Sequence, residues 1–481
     1  MTATTEPALL RLDGRTSTST SDETIDVVDP STGERIASIP AGCPADADAA
    51  VTAARAAFPG WARTAPGERG AALKAAARRL REHAGELAEL QSREGGKPLE
   101  QSLGGVMAGI ETIEQYAELG PLHRGRSLQG NWGATDLMVF EPRGVAVVLT
   151  PWNDPVAISC GLIAACAVTG NTVVFKPSER TPLSGARLVE LLALPDGVVN
   201  LVHGDARAGR PLAAHADVDL VIHVGSMATG REIAEVTGRT GAKALLELGG
   251  KDPLIVDAGV DPSWAAAQAG VGAFANAGQI CTSVERIYVH ADVAEPFVEA
   301  LVAEAGKLSV GPALDPRTTM GPLVDTRQRE VVDAHVREAV DGGAQLRAGG
   351  TVPDGPGAFY PPTVLTGCTD TMAVMSEETF GPVAAVRVVS SFDEALAAAS
   401  ESPYGLAATV LTPSTERAQR AWRTLPVGTV KINAVFGGAP GGAAEPHRGS
   451  GRGFGYGPEL LDEVTTTKVV HWEPAPGPAG D

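Results

Sequence analysis

Two side chains stand where their types and neighbours could do chemistry. Cys281 follows Asn276, Gly278, Gln279 and Ile280 and precedes Thr282. A free thiol with a pKa of ~8.5 is strongly nucleophilic even at a few per cent thiolate, although a lone cysteine among apolar neighbours is by default an inert core residue. Glu247 ends an apolar run and leads into Leu248, Gly249, Gly250 and Lys251. The two glycines would let another backbone approach closely, but alone the pattern is equally a strand-terminal turn. Gly225 and Gly230 have P-loop spacing, yet Arg231 and Glu232 follow where Lys and Ser/Thr belong. The glycine-rich run 449–457 never satisfies GxGxxG and reads as a flexible loop, far along the chain from any nucleotide-binding strand.

The elements that would position these residues follow from periodicity. Residues 46–92 are rich in Ala, Arg, Glu and Leu at helical spacing and predict two amphipathic helices. From Gly144 the pattern changes to short β-branched runs at 145–149, 172–175, 198–202 and 220–224, separated by helix-length segments. That alternation predicts a parallel sheet with crossover helices, with a nucleotide at the strand C-terminal ends. A second strand and helix alternation begins after Gly249, with runs at 254–256 and 286–289 around an Ala-rich helix at 262–275. One late strand is expected at 465–472, followed by a Pro/Gly-rich stub expected to be disordered.

Composition narrows the function. Lys plus Arg number 39 against 58 Asp plus Glu, a net charge of −19, which disfavours nucleic acid and acidic membranes as partners. Five scattered cysteines, Cys43, Cys160, Cys166, Cys281 and Cys368, form no CxxC pair, so neither a disulfide framework nor a metal site is expected. Residues 1–23 show no secretory pattern and no run approaches a spanning helix. A cytoplasmic protein is expected.

Six motifs then share one frame: Pro151-Trp152-Asn153, Lys176-Pro177-Ser178-Glu179, Gly225-Ser226, Glu247 to Lys251, Gly278-Gln279-Ile280-Cys281 and Glu378-Thr379-Phe380-Gly381-Pro382. In order and spacing the sequence resembles the aldehyde dehydrogenase superfamily, from about Val27 to Val470. The resemblance implies an α/β fold with a Rossmann-like nucleotide-binding domain (1–121 and 142–248), a second α/β catalytic domain (249–445) and a small β oligomerisation element (122–141 and 464–475). It also implies a homodimer or homotetramer.

The implied oxidoreductase converts an aldehyde to a carboxylic acid. Hydride cannot readily leave a bare carbonyl carbon, so a nucleophile must first make a tetrahedral adduct. The resemblance gives that role to Cys281, the oxyanion to the Asn153 amide with the Cys281 backbone N–H, and the water that hydrolyses the thioester to Glu247. It places the cofactor, NAD with NADP as the alternative, on Trp152, Lys176, Ser178, Glu179, Gly209, Gly225, Ser226, Leu248, Glu378 and Phe380. A carboxylate at Glu179 on the ribose hydroxyls repels a 2′-phosphate and favours NAD, an inference that Ser178 and Arg180 weaken.

The sequence departs from the family around the substrate. Asp154 stands where an aromatic residue is usual, Ala157 and Gly161 are small, and Ala444 replaces another aromatic. With Ile280 and Thr282 these line the expected tunnel, which reads as wide and polar. A bulky or polar aldehyde is expected, for instance one whose amine or hydroxyl pairs with Asp154, unless that carboxylate pairs internally. His223 and Val224 replace the usual Phe and Thr before Gly225. The alternatives are a coenzyme A-acylating dehydrogenase, disfavoured by Glu247, a non-catalytic binding protein, and a cysteine hydrolase, which would leave the ribose motifs unexplained.

Overall fold

The computed structural model describes residues 9–438 and 442–475. The stub after 475 lies outside the described residues. Segment 46–92 forms three helices, not two: Pro44–Arg63, Pro66–Glu82 and Ala84–Gly95. Periodicity alone runs through the breaks. Pro66, which lacks an N–H, starts the second helix at its first turn, and the His83 N–H closes it on the Arg79 and Leu80 carbonyls.

An eight-stranded sheet runs in the order Gly451–Arg452, Lys243–Leu248, Leu220–Gly225, Val145–Leu149, Thr172–Lys176, Val199–Leu201, Leu10–Leu12 and Arg15–Ser17. Its five inner strands are parallel. Every residue of Val145–Leu149 and Thr172–Lys176 is buried, because helices cover both faces, and this is why the runs are continuously apolar instead of alternating. The chain winds outward from Val145–Leu149 first to one side and then to the other. The crevice at that reversal opens beside Pro151, Trp152 and Asn153 on one strand end and Gly225 and Ser226 on the next, where open α/β sheets take their ligands.

The run 449–457 is no free loop. Gly451 and Arg452 add an antiparallel edge strand opposite Glu247 and Leu246. A pairing between segments two hundred residues apart leaves no local signal.

A second sheet of seven strands contains Val383–Val389, Val284–His290, Asp252–Val256 and Ala407–Leu411 as parallel neighbours. Only Gly249, Gly250 and Lys251 join the C-terminal end of Lys243–Leu248 to the N-terminal end of Asp252–Val256. A third sheet pairs Thr465–Trp472 along the full length of Thr135–Pro142, with Arg126–Leu128 at its edge. Among the described residues no helix is long and apolar enough to cross a membrane.

Candidate active site

Glu247 lies at the end of one sheet and Cys281 three residues before a central strand of the other, so the short diglycine link draws the two sheet ends together. Both glycines are needed for contact. A Cβ on Gly249 would lie 2.2 Å from a Glu378 carboxylate oxygen, and one on Gly250 would lie 2.9 Å from the Cys281 carbonyl oxygen.

The turn that presents Cys281 is held from several sides. Asn276 and Ala277 occupy the left-handed region with φ of 49° and 54°, which is strained for Ala and persists only where surroundings enforce it. Gly278, at φ 73°, packs so tightly on Gly381 that a Cβ would lie 2.1 Å from the Gly381 carbonyl oxygen. The Gln279 side chain donates to the Asn276 carbonyl (3.0 Å) and accepts from the Val324 N–H (2.9 Å). Ser283 Oγ donates to the Gly278 carbonyl (3.1 Å). Asn153 Nδ2 reaches this turn, donating to the Gln279 carbonyl at 3.1 Å, while Asn276 Nδ2 donates back to the Asn153 carbonyl at 3.2 Å. An amide carries two N–H donors, so Asn153 keeps one for a ligand beside Cys281.

Burial dominates the electrostatics. It pushes the Glu247 carboxyl up to about 7. It also pushes the Cys281 thiol up, with Glu247 the next largest contributor. Near neutral pH the resting pair is therefore a neutral thiol facing a carboxyl group that is ionised in part of the population, so Glu247 is available as a base for the thiol or for water.

The groups that could hold a dinucleotide surround the crevice. Ser226 caps the helix Met227–Thr240, accepting from the Thr229 N–H, so that N-terminus faces the crevice as an anion site. Leu248 is buried beneath the same helix, where Gly230 leaves room for it. Buried Lys176 donates to the Pro177 and Gly204 carbonyls at 2.9 and 2.7 Å and lies 3.9 Å from Glu179, with Gly209 against its stem. Ser178 is buried and accepts from the Arg180 N–H. The Arg180 guanidinium faces away from a free phosphate role: it pairs with Asp325 at 3.1 Å and lies over Trp152, 5.4 Å from the ring centre. Trp152 in turn meets Phe380 edge to face at 5.2 Å. Glu378 accepts from the Gly250 N–H at 3.1 Å, and burial, with Glu285 next, raises its carboxyl to about 8. Charge, carboxylates and flat apolar surfaces thus converge as a dinucleotide requires.

An anchor absent from the sequence reading fixes the Phe380 loop. The Glu285 carboxylate accepts from the Thr379 and Phe380 N–H groups at 2.8 and 2.9 Å and from Lys251 Nζ at 2.7 Å. Lys251 also donates to Thr379 Oγ1 at 3.0 Å. A buried Glu in a β-branched run was the only available signal.

Two tunnel expectations need correction. Asp154 is not poised for a substrate amine: it pairs with Lys97 Nζ at 2.9 Å, and Gln91 Nε2 lies 3.4 Å away. The internal alternative holds, with Lys97 as the partner. Gly161 does not widen the passage either, since it is buried and the Tyr456 ring covers it. Ala157, Ile280, Thr282 and Ala444 are half-buried, with Ala444 in the irregular stretch before Pro446.

All five cysteines are free thiols, and among the described residues no group of side chains could hold a metal ion. A cysteine turn held by an asparagine amide and a buried carboxyl group at adjoining ends of two α/β sheets define the class. The pattern of the aldehyde dehydrogenase family matches residues 17–470, and the chain belongs to that family. Among solved structures it is similar to the NAD+ complex of betaine aldehyde dehydrogenase from Staphylococcus aureus, with 32% identity over 98% of this chain and 96% of that one and a TM-score of 0.94. It is also similar to lactaldehyde dehydrogenase from Escherichia coli, with 34% identity over 97% and 99% of the two chains and a TM-score of 0.94.

Proposed function

We propose that this enzyme uses NAD to oxidise a short, polar aldehyde to its carboxylic acid through a thioester on Cys281. The observation that carries the reading is the meeting of the Asn153 amide, the pinned Cys281 turn and a Glu247 carboxyl raised to about 7 by burial. The aldehyde carbon takes the Cys281 sulfur, the thiol proton leaves to Glu247 or through a water, and the oxyanion is held by the spare Asn153 N–H and the Cys281 N–H. Trp152 and Phe380 would hold a nicotinamide, which would supply the two-electron acceptor for the hydride. Glu247, once any proton from the thiol has passed to solvent, takes a proton from the water that attacks the thioester, and that proton returns to the departing sulfur as the acid is released and the thiol is freed.

NAD is supported by Glu179 at the ribose position, by the engagement of Arg180 elsewhere and by the NAD+ complex of the similar enzyme. The substrate class is supported by the names of the similar proteins, one a betaine aldehyde dehydrogenase and one a lactaldehyde dehydrogenase. Residues 1–121 and 142–248 serve as the nucleotide domain, 249–445 as the catalytic domain, and 122–141 with 464–475 as an assembly element. The third sheet leaves Val469 and Trp472 exposed, as expected of a surface that a second copy covers.

The test is stopped-flow NADH fluorescence with Glu247→Gln. A full first turnover followed by slow steady release supports thioester hydrolysis by Glu247. An unchanged steady rate removes Glu247 from that step.

A further inference from the structure

The segment after Arg452 brings an unassigned aromatic residue into this site. Gly451 and Arg452 run antiparallel to the strand Lys243–Leu248, opposite Glu247 and Leu246, and the chain that follows turns back over the Glu247 side chain. A Cβ on Gly455 would lie 2.4 Å from Glu247 Oε2, so this turn lies directly on the carboxyl group. The next residue, Tyr456, lays its ring on the helix Pro155–Thr169: a Cβ on Gly161 would be 3.1 Å from Tyr456 Cε1 and 3.3 Å from Thr112 Cγ2. Thr112 belongs to the neighbouring helix Leu99–Leu119. The ring therefore plugs the seam between the two helices whose other small positions are Gly105, facing Asp154, and Gly109, facing Ala157. One residue further, the Gly457 carbonyl accepts from Tyr116 OH at 3.2 Å and fixes the turn. Burial raises the Tyr456 phenol well above its ordinary value, with smaller contributions from Glu247, Cys281 and Asp154.

We infer that Tyr456 determines which aldehydes reach Cys281, its ring occupying from the C-terminal segment the space that small side chains at Ala157 and Gly161 leave on the helix. The passage then admits short aldehydes and excludes those with a ring near the carbonyl. This rests on Cys281 as the reacting thiol.

Two readouts separate the inference from the reading beneath it. The first is the rate at which Cys281 is alkylated by iodoacetamide and by a pyrene-bearing maleimide, corrected with Cys281→Ser. Tyr456→Ala is expected to accelerate the bulky reagent about tenfold or more relative to the small one, while Tyr456→Phe, which keeps the ring, leaves the ratio unchanged. The second is kcat/KM for propionaldehyde against a phenyl-substituted aldehyde, where the same two variants should move the ratio in the same way. Gly161→Ala meets the ring at a contact tighter than ordinary packing, and should sharpen selection for the short substrate unless Tyr456→Ala is also present. Equal alkylation ratios in wild type and Tyr456→Ala overturn the inference. A changed alkylation ratio with no NADH from any aldehyde leaves the gate standing and sinks the dehydrogenase reading.

Discussion

Glu247 is the residue whose environment makes the most specific claim. An ordinary glutamate titrates near 4.3 and is fully ionised across the whole range in which such an enzyme can be assayed. Burial moves Glu247 to about 7. If its ionised form takes the proton from water, the hydrolytic step must follow that ionisation: about a tenth of the sites are active at pH 6, half at pH 7 and about nine-tenths at pH 8. The rate therefore rises with pH, roughly tenfold between pH 6 and pH 8, and then levels. Cys281 complicates a steady-state profile, because its thiol is also pushed up and acylation accelerates with pH as well. Stopped-flow separates them: the burst reports the thiol step and the linear phase the hydrolysis, provided product release is faster than both. The linear phase should titrate near 7 and the burst continue to climb above it. A linear phase that is flat from pH 5.5 to 8.5 would falsify the assignment of a desolvated Glu247 as the base.

Asn153→Ala removes one oxyanion donor and should lower the burst rate by ~10²–10³ with little change in thermal unfolding; a burst near the wild-type rate excludes the amide from the reaction. Glu285→Ala leaves a buried Lys251 without its partner and two N–H groups of the Phe380 loop unpaired. The expected loss is about 3–5 kcal/mol in denaturant unfolding, relieved in part by Lys251→Met, and full stability in Glu285→Ala means water replaces the carboxylate. Asp154→Asn should cost about 1–3 kcal/mol through Lys97 and leave the preference between amino and neutral aldehydes unmoved. A selective loss of amino aldehydes would return Asp154 to substrate binding.

The sequence was legible where one segment carries its own signal. Val145–Leu149 and Thr172–Lys176 read as buried parallel strands because they are continuously apolar, and the thiol and carboxylate stand in motifs whose glycines have a local purpose. It was illegible where distant segments meet. Asp154 beside Asn153 reads as a free carboxylate until Lys97 arrives from the preceding helical layer, and Gly161 reads as open space until Tyr456 arrives from nearly three hundred residues away. These two misreadings have one cause: a small or charged residue in sequence shows what it leaves unfilled, not what fills it. The same reasoning ties the site together. Gly249 and Gly250 are glycines because Glu378 and the Cys281 carbonyl occupy the positions of their missing side chains, and Gly455 is a glycine because Glu247 does. Glu378, the Cys281 turn and Glu247 are thus in close contact with three residues without side chains. Substitution at any of them displaces one of these groups directly, and on the proposed mechanism the effect should fall on turnover before it falls on folding.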